Sequence, residues 1–235
     1  MNLPKSISPN PLFVTTIELR FSTSINRFEL FNKMHEKFSQ TLPVIEEGKI
    51  PHDIRIKNEN LRYSPDFIFK NDDFSISFST NSVFFENISE YKLWDVYFSF
   101  VKNCLSDIFE MQFISEIERC GVRYGSLLNG VNPIQALKSI PSIEVGGNAS
   151  ILDNFKAFFK TESGMLYLQM SPNAKIQKNE TQKIGLYIDI DASNSKVLKP
   201  DDTVFSIIKN LHLEQKKLFF GLLKEEFIQT LNPQY

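Results

Sequence analysis

Arg119, Gly121 and Arg123 lie two residues apart from one another in the run Glu116-Ile117-Glu118-Arg119-Cys120-Gly121-Val122-Arg123-Tyr124. On a strand this spacing turns all three toward one face and Cys120, Val122 and Tyr124 toward the other. Two guanidinium forks on either side of a bare backbone position could clamp a phosphate or a carboxylate, because a ligand can come close where no side chain stands. The competing expectation is that each arginine pairs across the sheet with an acid such as Asp189 or Glu18, and pairing is the commoner use of a charged strand position. Of 26 basic residues only six are arginine, namely Arg20, Arg27, Arg55, Arg62, Arg119 and Arg123. Lysine does not replace arginine where a planar fork is needed, so these six are the informative cations.

Ile188-Asp189-Ile190-Asp191 places two carboxylates on one strand face. Such a pair could hold a magnesium ion with waters, or it could end a strand before the turn that Ala192-Ser193-Asn194-Ser195 suggests. The turn reading is preferred, because no third acid stands at motif spacing. Glu116 and Glu118 are the nearest in chemistry, and with Asp189 and Asp191 they define the alternative of a metal-dependent phosphohydrolase or nuclease. His35, His52 and His212 show no zinc-ligand spacing, and no phosphate-binding loop, nucleophile elbow or dinucleotide fingerprint occurs. His212 is a candidate ligand contact, although a packed imidazole is the simpler reading. No catalytic residue, metal or cofactor is expected. Arg119, Arg123, Asp189, Asp191 and His212 form the candidate ligand-binding set.

The elements that must carry these residues follow from periodicity. Leu12 to Ser22 alternates, with Phe13, Thr15, Ile17, Leu19 and Phe21 on one face and Glu18 and Arg20 on the other. Asn26 caps an amphipathic helix with a stripe of Phe28, Phe31, Met34 and Phe38. Residues 41–64 read as loops with a short strand near Ile54. Phe67–Phe69, Phe74–Phe78 and Val83–Phe85 read as a meander, its strands separated by turn residues. Asn87 and Glu90 open a helix to about Glu110 through Trp94, Tyr97, Val101, Leu105 and Ile108. Ile114 to Tyr124 reads as a strand, and Asn132-Pro133 starts a short helix. Ala149–Phe159, Met165–Met170 and Lys183–Asp191 read as strands, the first two joined by a hairpin at Glu162-Ser163-Gly164. Asp201 to Thr203 caps a last helix to about Thr230, with Val204, Ile208, Leu211, Leu218 and Leu222 on its buried stripe.

The order strand, helix, strands, long helix occurs twice, so the chain reads as an α+β protein of two similar halves, 1–112 and 113–235. Each would be an antiparallel sheet with a long helix on one face, in a helix-grip or TATA-binding-like tandem. A length of 235 residues with 42% hydrophobic residues supports a large core without disulfide or metal staples. A net charge of −2 leaves no global field for nucleic acid or anionic membranes. The 22 phenylalanines read as core residues and codon bias rather than as a stacking surface. Cys104 and Cys120 read as reduced, packed thiols. Met1 to Pro11 is polar, and no run reaches the about 18 apolar residues of a membrane span, so the cytoplasm is expected.

Four landmarks together carry a resemblance along nearly the whole chain. They are Asn10-Pro11-Leu12, Arg119-Cys120-Gly121-Val122-Arg123-Tyr124, Leu186-Tyr187-Ile188-Asp189-Ile190-Asp191, and Leu211-His212 leading to Phe219-Phe220. In that order they resemble a sporadically distributed bacterial family of about this length that has no assigned activity and is often near mobile or phage-defence gene clusters. Gly125 departs from that pattern, which more often continues with bulkier residues and an asparagine. The resemblance implies an accessory role and supplies no mechanism. Glu116 to Arg119 also resembles the opening strand of the triphosphate-tunnel phosphohydrolases, but it stands mid-chain and lacks their later basic strands. The leading expectation is a non-enzymatic binding protein whose partner is a neighbouring-gene protein or a small anionic ligand.

Overall fold

Polar and apolar residues alternate from Ile17 to Phe21, and the first strand, β1 (Leu12–Thr23), buries Thr15, Ile17, Leu19 and Phe21 on one side. The computed structural model describes residues 2–55, 57–141, 144–145, 148–149, 154–178 and 181–235. After β1 come α1 (Arg27–Phe38), β2 (Val44–Glu47), α2 (His52–Arg55) and a tight helical turn at Glu59–Leu61. The meander follows as β3 (Phe67–Lys70), β4 (Phe74–Ser79) and β5 (Ser82–Asn87), leading to α3 (Leu93–Glu110) and the long β6 (Ile114–Asn129). Then come α4 (Pro133–Ala136), β7 (Glu144–Val145), β8 (Asn148–Ala149), β9 (Phe155–Lys160), β10 (Met165–Lys178) and β11 (Thr181–Asn194). Two helices close the chain, α5 (Thr203–Leu222) and α6 (Glu225–Gln229).

This is an α+β fold with a large antiparallel sheet. Nine of the described strands are ordered β2-β3-β4-β5-β1-β6-β11-β10-β9, and β7 and β8 pair separately. Two compact units are distinguished: Thr16–Val122 with Ser193–Asn210, called the first unit below, and Met1–Thr15, Arg123–Ala192 and Leu211–Tyr235, called the second. The division falls within β1, β6, β11 and α5, so a single strand can serve both units.

In the first unit the register sets Ile17 opposite Phe85, and Ile76 opposite both Phe69 and Phe85, which collects the apolar side chains on one face. α1 covers that face through Phe31, whose ring lies 4.6 Å from Phe67 and 5.8 Å from Phe69. α3 covers it through Tyr97, fully buried and donating its hydroxyl to the Phe85 carbonyl at 2.5 Å. In the second unit Leu166, Leu168, Met170, Leu186, Ile188 and Ile190 face the core, and α5 packs there with His212 5.4 Å from the ring of Tyr124.

Several expected details change, each for a local reason. The buried line of α1 runs through Leu30, Met34 and Phe38, whereas Phe28 is 69% exposed beside the guanidinium of Arg27. Phe13 likewise lies outside the core. The strand expected near Ile54 is the helix α2: Pro51 opens it, and its carbonyl accepts from Ile54 and Arg55, while the strand of that region is β2. Asn87 does not cap α3 directly. It shapes the turn before it, accepting from the Lys92 amide at 2.8 Å. The last helix does not continue to Thr230. Lys138 donates to the Leu222 carbonyl and Lys224 to the Ala136 carbonyl, which draws the chain out of α5 before α6 begins. Of the strand expected over Ala149–Phe159, Phe155 onward belongs to β9, and residues 150–153 lie outside the described residues.

Candidate functional site

β6 brings Arg119 to the first unit and Arg123 to the second, and each arginine meets a carboxylate. Burial along β6 does not alternate strictly: Glu118 and Arg119 are both half-buried between buried Ile117 and Cys120, the local pattern that one extra residue in a strand produces. From Cys120 alternation resumes, with Cys120, Val122 and Tyr124 in the core and Arg123 turned away from it.

In the first unit, Arg119 Nη1 donates to Glu18 Oε2, and Arg20 Nε donates to Glu18 Oε1 at 2.7 Å. One buried carboxylate therefore balances two guanidiniums, and Arg20 also lies 4.2 Å from the centroid of the Tyr63 ring. Ser22 holds Glu118 at 2.5 Å. The opening that Gly121 was expected to offer a ligand is taken by the chain itself, because a Cβ there would strike the Arg119 guanidinium. Glycine at 121 thus lets Arg119 lie flat across the strand toward Glu18.

In the second unit, Arg123 forms a forked pair with Asp189: Nε donates to Oδ1 at 3.0 Å, and Nη2 donates to Oδ2 at 2.7 Å. The Asp189 side chain is 6% exposed and the Arg123 side chain 51% exposed, so a buried carboxylate orients a guanidinium that reaches solvent. That hydrogen bond, with Tyr187 and Asp191 nearby, holds the arginine still more firmly protonated than usual. Tyr187 lies alongside, its phenol pushed up by burial and by Asp189. A Cβ at position 125 would come within 2.5 Å of the Tyr187 hydroxyl, so Gly125 makes room for that ring.

The sequence-derived candidates thus divide. Arg123, Asp189 and Asp191 share one unit with His212, and Arg119 belongs to the other. His212 is 9% exposed on α5 against Tyr124, on the core side of the sheet, where burial and Lys216 lower its pKa to about 3. It is therefore a neutral core imidazole, apart from the Arg123–Asp189 face. Both Asp189 oxygens accept from Arg123, and among the described residues no group of three His, Cys, Asp or Glu side chains could hold a metal. Cys104 and Cys120 are free and buried, with burial raising each thiol to about 12.

Sequence reasoning missed the most buried charge cluster. Asp66, its side chain 2% exposed, accepts from Arg55 Nη2 at 2.6 Å, with His52 Nδ1 at 3.1 Å and Arg27 Nε at 3.2 Å. Arg55 also donates to the Arg62 carbonyl at 2.8 Å. The scarcity of arginine pointed at Arg27 and Arg55, but nothing local marks Asp66 as their common partner. The contacts of Arg55 and His52 close the segment 52–66 on itself, and Arg27 ties it to the start of α1.

A further cavity of about 550 Å³ lies at the far end of β6, lined by Asn132, Ile134, Ile140, Pro172 and Ile184 among others. No helix among the described residues is long and apolar enough to cross a membrane. The chain matches no model of a known protein family, no curated protein and no solved structure.

Proposed function

We propose that the protein is a non-enzymatic binding protein whose recognition element is Arg123, presented on the face of the sheet opposite the core residues Leu186, Ile188 and Ile190 in the second unit. The observation that carries this reading is the forked Arg123–Asp189 pair, buried at the acid and half exposed at the base. Asp189 uses the Nε and Nη2 donors and fixes the plane of the guanidinium. The half-exposed edge of the guanidinium, beside the Tyr187 hydroxyl, can meet a second acceptor arriving from solvent. A fixed fork loses little freedom when it engages a phosphate or carboxylate, which is why arginine suits this task. The partner is thus an anionic ligand, or an anionic group on a partner protein. An accessory role, as implied by the family resemblance, belongs to the same proposal, as does the tandem reading of the two halves. The phosphohydrolase or nuclease alternative has no comparable support, because its central carboxylate is already neutralised by Arg123.

The test uses inorganic pyrophosphate as probe. Its addition should shift the Arg123 Nε–Hε resonance, and the double variant Arg123→Ala/Asp189→Ala should lose the response while retaining its fold. Removing both partners avoids stranding a buried carboxylate. An unshifted Arg123 resonance at millimolar pyrophosphate would overturn the reading. So would metal-dependent release of p-nitrophenol from bis(p-nitrophenyl) phosphate that Asp189→Ala abolishes.

A further inference from the structure

The face that carries Arg123 continues onto two more strands of the same unit. Pairing of β9 with β10 sets Phe155, Ala157 and Phe159 opposite Met170, Leu168 and Leu166, which are core residues. Lys156, Phe158 and Lys160 must then point the other way, opposite Gln169, Tyr167 and Met165. Alternation along β11 puts Asp189, and with it Arg123, on that same side, because Leu186, Ile188 and Ile190 are buried on the core side. Phe158 is 70% exposed, and its ring lies 4.9 Å from that of Tyr167.

Lysines on an edge strand guard against unwanted strand pairing, and this accounts for Lys156 and Lys160. It does not account for an aromatic ring left almost bare between them, since an exposed phenylalanine weakens such a guard. Two adjacent aromatic faces flanked by cations match another chemistry. Bases of an unpaired strand stack on aromatic side chains displayed by a sheet, and cations on the flanks meet the phosphates. A duplex hides the faces of its bases, and an acidic peptide has no flat π-system to lay on Phe158. We propose that this face binds single-stranded nucleic acid, with Phe158 and Tyr167 as the stacking platform and Lys156, Lys160 and Arg123 as phosphate contacts. The inference rests on reading the Arg123 face as an anion-binding face, and names its ligand class. It requires no field from the whole molecule, whose net charge is −2.

The experiment is fluorescence anisotropy of the intact protein with labelled 15-mers of thymidine and of uridine, at several salt concentrations. Phe158→Ala should weaken binding about 5- to 150-fold, the range for losing one stacked base. The logarithm of the affinity should fall against the logarithm of salt with a slope of about −2 for three phosphate contacts on a single strand, and become shallower in Lys156→Ala/Lys160→Ala. Phe158 is exposed, so its replacement does not threaten folding. No binding of either 15-mer at low salt overturns the proposal, and so does binding that Phe158→Ala leaves unchanged. A poly-glutamate peptide that competes as well as unlabelled 15-mer also overturns it. If the 15-mers fail while pyrophosphate still shifts the Arg123 resonance, only the nucleic-acid inference falls. If both fail, the anion-binding reading falls with it.

Discussion

Replacing Asp66 with alanine tests how far the first unit depends on its buried ion cluster. The Asp66 and Arg55 side chains are each 2% exposed and meet at 2.6 Å. Without the carboxylate, Arg55 keeps its donation to the Arg62 carbonyl at 2.8 Å and its contact with His52 Nδ1 at 3.0 Å, and its charge stays buried without a counter-ion. Breaking a buried pair from one side costs about 3–5 kcal/mol. At about 2–4 °C per kcal/mol for a chain of this length, the midpoint should drop by roughly 6–20 °C. Arg55→Ala is the milder change. It leaves Asp66 with Arg27, whose side chain is 23% exposed, and His52, so the loss should be about 1–3 kcal/mol. Removing both partners should cost less than the sum of the single losses, as expected for groups in direct contact. Trp94, the sole tryptophan, lies in the same unit and stacks on Phe98 at 5.0 Å, so its fluorescence reports the relevant unfolding in urea or on heating. A drop below about 3 °C for Asp66→Ala, or a larger drop for Arg55→Ala, would show that the cluster is hydrated and not a buried tie.

Two other outcomes follow from burial. The folded state holds His212 neutral down to about pH 3, whereas an unfolded histidine takes up its proton near 6.5. The unfolded state therefore binds more protons below pH 6.5, and stability falls with acidification across that window. At pH 5 the loss from this residue should be about 2 kcal/mol, read as the difference between urea titrations of the wild type and His212→Phe; parallel curves from pH 7 to 5 would refute it. Both cysteines, with thiols raised to about 12, should resist a thiol reagent at pH 8 in the folded protein, their thiolate fraction being lower than that of an ordinary cysteine by about a thousandfold. Denaturation without reductant should then release two reactive thiols, and fast labelling of the folded protein would contradict their placement.

Periodicity made most of the elements legible. The alternation of β1 over Ile17–Phe21, the turn residues between β3, β4 and β5, and the Asn26, Asn132 and Asp201 caps all act over a few residues, and each has its counterpart in the structure. The arginine–acid pairs were legible for the same reason: alternation fixes the face, and Glu18 and Asp189 are acids on facing strands. What depends on distant chain segments was not legible. The buried line of α1 is set by which way the helix lies on β3, so Phe31 is covered while Phe28 is not. The end of α5 is decided by backbone groups of residues 136 and 138, nearly ninety positions upstream. Gly121 was read as an opening because a sequence does not reveal that Arg119 folds back over it. Asp66 escaped notice because its partners come from two separate segments, the start of α1 and α2. Phe158 escaped because one phenylalanine among 22 gives no sign of being left bare.

The central claim is that Asp189 presents Arg123 to an anion from solvent, and the Arg123 Nε–Hε resonance tests it most directly. Because Nε donates to Asp189 at 3.0 Å, the resonance should be resolved and slow to exchange in the free protein. Pyrophosphate should shift it saturably, with the Arg119 resonance unmoved. The double variant Arg123→Ala/Asp189→Ala should remain folded and show no binding. A resonance that stays in place throughout the titration, or pyrophosphate binding that survives in the double variant, would contradict the account.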